Sequence, residues 1–331
     1  MMSIYRFSFP VLLSVLIVAC SSTPEQPEWL MGSDSSYPDS RYLIASGEGS
    51  SQSVADNRAL ANLSKIFQVS VSDSSMDFSQ STVSSQVGNG ASQRQVQNDQ
   101  KVSRFVNTQA QQMLQGAKIA ERWQSAQGGP LYSLAVLEKG PAIQRFTQSI
   151  NSADRDTLSA VNYAQNEAPS AVAALAALEQ ARQKQVQRMN DNNNLRVLTG
   201  SGISTDYDAD ELTAIIRQSL AKMTMRSSAQ DDVNLVMLQS AMADVGVNQA
   251  VDGNYNIDMQ LEQGASENRQ GWLWQRGNLV LSLSDGNTNV ATKRWPYKIS
   301  AQTEAMLVQR LNEKLTNDLP GNIYQLLTPV K

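Results

Sequence analysis

The sequence predicts an α+β fold, with two small mixed sheets each packed by helices and joined by a helical arm. Three observations predict it. Short strand-like runs alternate with stretches of helical periodicity in both halves of the chain. Two hairpin signals, Gly128-Gly129-Pro130 and Ser284-Asp285-Gly286-Asn287-Thr288, separate runs of strand character. Between the halves, residues 141–190 keep a helical pattern. At 331 residues the chain is long for one core and suits two domains.

Taken in order, Tyr42-Leu-Ile-Ala-Ser46 is a short apolar strand and Gly47-Glu-Gly49 its tight exit. Ser53 is placed to cap a helix in which Ala55, Ala59, Leu63, Ile66 and Phe67 share a face. Gln68-Val-Ser-Val-Ser72 alternates like a strand. Residues 74–98 are rich in Ser, Gln and Asn, which fits either a long polar hairpin or an irregular excursion; a helix over Asp99–Leu114 follows. Ala117–Trp123 and Leu131–Leu137 then read as paired strands. In the arm, Pro169 sits near the start of a second helix, where a missing N–H costs least. Leu158, Val161, Ala168, Val172 and Leu175 make an apolar stripe expected to pack on the first sheet before a linker around Asp191–Asn194. The second domain is expected to open with a strand at Leu195–Thr199 and a helix over Asp210–Lys222. A strand near Val233–Leu238, a helix over Gln239–Val245 and a strand at Tyr255–Leu261 come next. Trp272–Ser284 and Val290–Tyr297 form the second hairpin, and Ala305, Leu307, Val308, Leu311, Leu315 and Leu319 mark a closing amphipathic helix. The expected organisation is a leader over 1–19, a tether over 20–28, a first domain over 29–150, an arm and linker over 151–194, and a second domain over 195–331.

The leader carries one basic residue, Arg6, ahead of an apolar run ending at Ala19, the make-up of a signal peptide. Ile17-Val18-Ala19-Cys20 resembles the bacterial lipobox, and Cys20 is the sole cysteine of the chain. That resemblance implies an S-diacylglyceryl group on the Cys20 thiol, cleavage before it, and acylation (palmitate-type) of the new amino terminus. Ser21 rather than Asp follows, which by the usual sorting pattern of Gram-negative envelopes implies the outer membrane, facing the periplasm. A lone cysteine given to lipid leaves none for disulfides.

Composition narrows the chemistry. The chain holds 31 acidic and 27 basic residues and no Lys/Arg cluster, which argues against nucleic acid as a partner. It has no histidine at all, which excludes a Ser-His-Asp triad and histidine-bearing zinc sites. An enzyme would have to work with carboxylates, Lys or Tyr alone. The expectation is a protein without catalytic residues, without metal and without a cofactor beyond the covalent lipid.

Pro27-Glu-Trp-Leu30, then Tyr42-Leu-Ile-Ala-Ser-Gly-Glu-Gly49, the alanine-rich helix and Phe67-Gln-Val-Ser-Val71 resemble the Lpp-twenty family of bacterial outer-membrane lipoproteins. Ala120 to Lys139 is similar to that family's closing strand pair, so the resemblance covers about residues 27–150. Val251–Glu262 and Leu279–Trp295 resemble, more faintly, the periplasmic modules of curli-secretion and penicillin-binding-protein-activator lipoproteins. Together they imply a lipid-tethered structural or regulatory binding module in envelope assembly, with envelope or flagellar proteins, or the protein itself, as partners. Activation of a peptidoglycan synthase is the alternative they leave open, and an envelope hydrolase is disfavoured by the missing histidine.

Four motifs bear on chemistry. Asp206-Tyr-Asp-Ala-Asp-Glu211 spaces carboxylates as a calcium loop does, but lacks the loop's glycine and its twelfth-position Glu; a helix cap at Asp208 or Asp210 is expected instead. Thr199-Gly-Ser-Gly-Ile-Ser-Thr205 misses the third glycine of a dinucleotide fingerprint and reads as a turn. Gly49–Ser53 offers serines with only Lys65 as a base, on a different part of the helix. Trp272, Trp274 and Trp295 cluster near one hairpin and are the candidate interaction residues. Trp272 and Trp274 have the opposite phase to Leu279, Leu281 and Leu283. Either a bulge at Arg276-Gly277 brings the tryptophans into the core, or they face outward as a binding patch.

Overall fold

The computed structural model describes residues 26–81, 114–125 and 128–329. Cys20, the leader, residues 82–98 and most of the expected 99–114 helix lie outside them. Contacts divide the chain into two compact units, residues 1–64 with 114–138, and residues 65–113 with 139–331. The architecture is α+β, with one sheet in each unit.

In the first unit, β1 (Tyr42–Gly49), β2 (Lys118–Gln124) and β3 (Leu131–Glu138) form an antiparallel sheet in the order β1-β3-β2. Ser133 to Leu137 of the central strand are all buried, because both faces are covered. On one face Leu134 and Val136 pack on Trp29, which a short 3-10 turn (Glu28–Met31) inserts with its indole N–H donating to Glu121 Oε2 at 2.9 Å. On the other lies α1 (Gln52–Ser81), burying Ala55, Ala59 and Leu63. Its cap is Ser51, whose carbonyl and hydroxyl take the Ala55 and Val54 amides, and not Ser53. Asp56 accepts from Ser133 Oγ at 2.6 Å, from Gln52 and from two nitrogens of Arg122, tying helix to sheet. The Arg122 guanidinium first, and then the Ser133 hydroxyl, hold the Asp56 carboxyl far below the usual carboxylate range.

Gly47 and Gly49 face α1. A Cβ on Gly47 would stand 2.1 Å from the Ala59 backbone nitrogen, and one on Gly49 2.5 Å from the Ala55 nitrogen. The glycines let the helix backbone lie directly on the strand. Residues 68–72, expected as a strand, continue α1: once a helix is propagating, each further residue adds a hydrogen bond, and two alternating valines do not outweigh that.

The second unit begins with α2 (Lys139–Asn162), a π-helical turn (Tyr163–Glu167) and α3 (Ala171–Thr199), capped by Ser170 just after Pro169. α3 runs through both the expected linker at Asp191–Asn194 and the expected strand at Leu195–Thr199. It ends at Gly200, whose left-handed φ of 79° stops the helix within the Thr199–Thr205 run. The asparagine run does not break the helix: the buried Leu195 and Leu198 continue the apolar spacing. The arm's Val161, Val172, Leu175, Leu178 and Ala181 belong to the second unit's core.

α4 (Ala209–Lys222) starts at a full capping box, Asp208 accepting from the Glu211 amide and Glu211 from the Asp208 amide. The acidic run is thus helix-start chemistry. Among the described residues no group of three or more acidic residues is placed to hold a metal ion. β4 (Thr224–Ala229) has no counterpart in the sequence reading, since Met225 is its only large apolar residue. The expected strand at Val233–Leu238 is instead the start of α5 (Asp232–Val245), capped by Asp231; Leu238, Ala241 and Met242 are buried at helical spacing while Val233 and Val236 are exposed.

β5 (Asn248–Gln249), β6 (Tyr255–Gln263), β7 (Glu267–Arg269), β8 (Trp272–Asp285) and β9 (Thr288–Ala301) complete the sheet. β4 pairs in parallel with β5 and β6, and β6, β8 and β9 follow antiparallel. The closing helix, α6 (Glu304–Leu327), passes through Pro320 and buries Leu307, Leu311, Leu315, Leu319, Ile323 and Leu326 against one sheet face. None of the described helices is long and apolar enough to cross a membrane.

Candidate functional site

The pleat of β8 and β9 sorts their side chains. Leu279, Leu281 and Leu283, with Trp295, Tyr297 and Ile299 opposite, face the helices. Trp272, Trp274, Arg276 and Asn278, with Arg294, Pro296 and Lys298, point to the other face. β8 pairs with β9 without interruption at Arg276-Gly277, where its ladder with β6 ends at Gln263↔Gly277, so no bulge in the β8–β9 pairing brings the tryptophans inward. Trp272 stays 38% exposed and Trp274 half-buried. Trp295 lies on the opposite face, packed against the core with its indole N–H donating to Gln325 Oε1 at 3.3 Å. The structure therefore brings two of the three candidate tryptophans together and separates the third.

Around these two indoles stand residues that the sequence reading did not single out. Lys298 Nζ sits 4.4 Å from the centroid of the Trp274 ring, and the Arg310 guanidinium 5.9 Å from that of Trp272. Cation–π attraction holds each charge over a ring. Arg310 also donates to the Ser300 carbonyl. Arg276 and Lys298 are direct cross-strand partners, and both are exposed. Like charges so placed destabilise a sheet. Neither has an ion-pair partner among the described residues, whereas neighbouring Arg269 and Arg294 pair with Glu267 and Glu262.

On the β6 side Arg276 is flanked by Gly264, whose amide donates to the Arg276 carbonyl at 2.9 Å. With no side chain there, the surface opens into two adjoining hollows of about 650 and 580 Å³ that share Gly264, Arg276 and Lys298. Glu262, Asn278 and Pro296 line the first, and Arg269, Trp272 and Trp274 the second. The arrangement offers fixed positive charge on a hydrogen-bonding sheet. Among the described residues that line it, no nucleophile is paired with a base.

Comparison with known proteins bears on the other unit. A sequence model of the LPP20 lipoprotein family matches residues 27–138. No curated protein matches the chain. Among solved structures, a minor lipoprotein of Acinetobacter baumannii is 14% identical with a TM-score of 0.25, covering 32% of this chain and 92% of its own. A secreted protein of Helicobacter pylori is 13% identical with a TM-score of 0.42, covering 88% and 99%. Rare lipoprotein B of Shewanella oneidensis is 7% identical with a TM-score of 0.20, covering 32% and 92%. At such scores these likenesses carry no argument. The matched segment contains the Trp29 wedge, the Gly47–Gly49 crossing and the β2–β3 pair, so residues 27–138 are the part of the chain similar to LPP20 lipoproteins.

Proposed function

We propose that the chain is a non-catalytic binding module of the Gram-negative envelope, tethered to the outer membrane through lipid on Cys20 and facing the periplasm. The observation that carries this reading is the segment similar to LPP20 lipoproteins, which begins at residue 27, directly behind Ile17-Val-Ala-Cys20. A thioether-linked diacylglycerol plus an N-acyl chain supplies more than one membrane insertion, which stable anchoring requires. Anchoring confines the second unit to a thin layer beside the membrane and raises its effective concentration for neighbours, so each contact can be individually weak. The cationic face of β8 and β9 is the docking surface. Envelope proteins, flagellar ones among them, and a second copy are the partners this reading admits.

In living cells, a photo-crosslinking residue at Gln270, on the turn that rims the second hollow, is expected to give discrete adducts. The same residue at Arg217, on exposed α4, should give several-fold less, and Cys20→Ser should weaken the Gln270 adducts. Equal adducts at both positions would contradict a docking role for this face.

A further inference from the structure

We infer that the groove on the second sheet receives an extended, carboxylate-rich peptide segment of a partner protein. The inference rests on reading the chain as a binding module and is independent of its lipid.

The first ground is the Arg276–Lys298 pair. Two like charges directly opposite on adjacent strands work against the sheet, and neither forms an ion pair among the described residues: Glu262 and Glu267, which line the same hollows, pair with Arg294 and Arg269. A bound anion between them does so. The chain as a whole is acidic, with a net charge of −4, so this concentration of cations runs against the overall field.

The second ground is the state of the indoles. An aromatic wall that stacks sugar rings needs free ring faces. Here Lys298 and Arg310 each stand over one face of a ring, so part of the aromatic surface is already engaged by charge. The rings hold those cations in place, which lowers the ordering cost of binding. Arg276 supplies the planar fork that suits a carboxylate, and Lys298 a compact point charge.

The third ground is shape. Two adjoining shallow hollows that share Gly264, Arg276 and Lys298 run along the face and give a chain successive places to rest side chains. The free edge of β9 is not the binding element, because Pro296 interrupts it; the face is.

The test uses the purified full chain and four probes: a short peptide of alternating Glu and Ala, its Gln-for-Glu counterpart, an uncharged N-acetylglucosamine tetramer, and phosphatidylglycerol vesicles. The Glu peptide is expected to bind, with affinity falling as salt rises, and the Gln counterpart to bind about tenfold more weakly or less, a loss of about 1.4 kcal/mol. Arg276→Thr should weaken the Glu peptide by a similar factor while raising the melting temperature, since it removes the like-charge pair. A residue with only a structural role would not improve stability on loss. Arg217→Thr should change neither. Equal binding of the Gln counterpart, unchanged peptide binding in Arg276→Thr, or Arg276-dependent binding of the tetramer or the vesicles in place of the peptide would overturn the inference. Persistent Gln270 adducts alongside such a result would overturn the ligand class alone; loss of the adducts as well would overturn the docking role.

Discussion

Gly47→Ala is expected to unfold the first unit. The added methyl would meet the Ala59 nitrogen at 2.1 Å, the Ala55 carbonyl oxygen at 2.5 Å and the Arg58 carbonyl carbon at 2.7 Å. All three are backbone atoms of α1, so no rotamer change relieves the clash; strand and helix must separate. That separation would pull Asp56 away from Ser133 and Arg122 and uncover Ala55, Ala59 and Leu63. Ordinary overpacking costs about 1–3 kcal/mol, and the expected loss exceeds that range. Thermal unfolding followed by circular dichroism, with limited proteolysis, reads it: the variant should lose the first unit's protection, while Glu48→Ala, on the exposed residue between the two glycines, should keep it. An unchanged melting profile for Gly47→Ala would show that α1 does not lie on β1 as described.

Glu179→Ala should be the most damaging single change in the second unit's polar interior. Glu179 on α3 is 4% exposed and accepts from Arg182 at 2.7 and 2.8 Å, from Gln183, and from the Tyr324 hydroxyl of α6 at 2.7 Å. Its removal leaves a largely buried guanidinium without its anion and strips the Tyr324 hydroxyl of its acceptor. Breaking a buried pair from one side costs about 3–5 kcal/mol, whereas replacing both partners by apolar residues is often neutral. The Glu179→Leu/Arg182→Leu double variant is therefore expected to be more stable than Glu179→Ala in urea unfolding. A double variant as unstable as the single one would contradict this account of the network.

The same carboxylate sets a pH dependence. Burial pushes the Glu179 carboxyl up, but the hydrogen bonds and charge of Arg182, with Gln183 and Tyr324, more than reverse this and hold it below its ordinary value. Its contribution is full above the unfolded-state value of about 4.3 and is lost as pH falls through the lowered folded value. Burial, followed by the nearby Glu179 charge, raises the Tyr324 hydroxyl, which stays protonated and donating at neutral pH.

Much of this was legible in the residues. β1, the β2–β3 pair, α4, β6, the β8–β9 hairpin and the closing helix follow from alternation, caps and turn chemistry. The LPP20 resemblance rested on Pro27-x-Trp29 and Gly47-x-Gly49, and the structure shows what each does: Trp29 wedges against β3, and the glycines admit the α1 backbone. Three of the expected strands failed for one cause. At Gln68–Ser72, Leu195–Thr199 and Val233–Leu238, local alternation of apolar residues suggested strands where longer-range helical spacing prevailed.

The cation pair of the candidate site was hidden for a different reason. An unbroken register from Asp285↔Thr288 would set Arg276 opposite Tyr297. An irregularity between Leu283 and Ser284 shifts the pairing by one residue and brings Lys298 opposite instead. A one-residue shift exchanges the faces of a strand, and only coordinates show it. Trp272 and Trp274 were visible from sequence; that Trp295 turns the other way, and that cations lie over the first two rings, was not.

The most direct test of the central claim is the anchor itself. Cells making the full chain would be fed an alkyne-tagged palmitate, and their outer and inner membranes separated. The account predicts label on the wild-type chain in the outer-membrane fraction, with label lost and the chain released from membranes in Cys20→Ser. A wild-type chain without label, or a Cys20→Ser chain still labelled and membrane-bound, would contradict it.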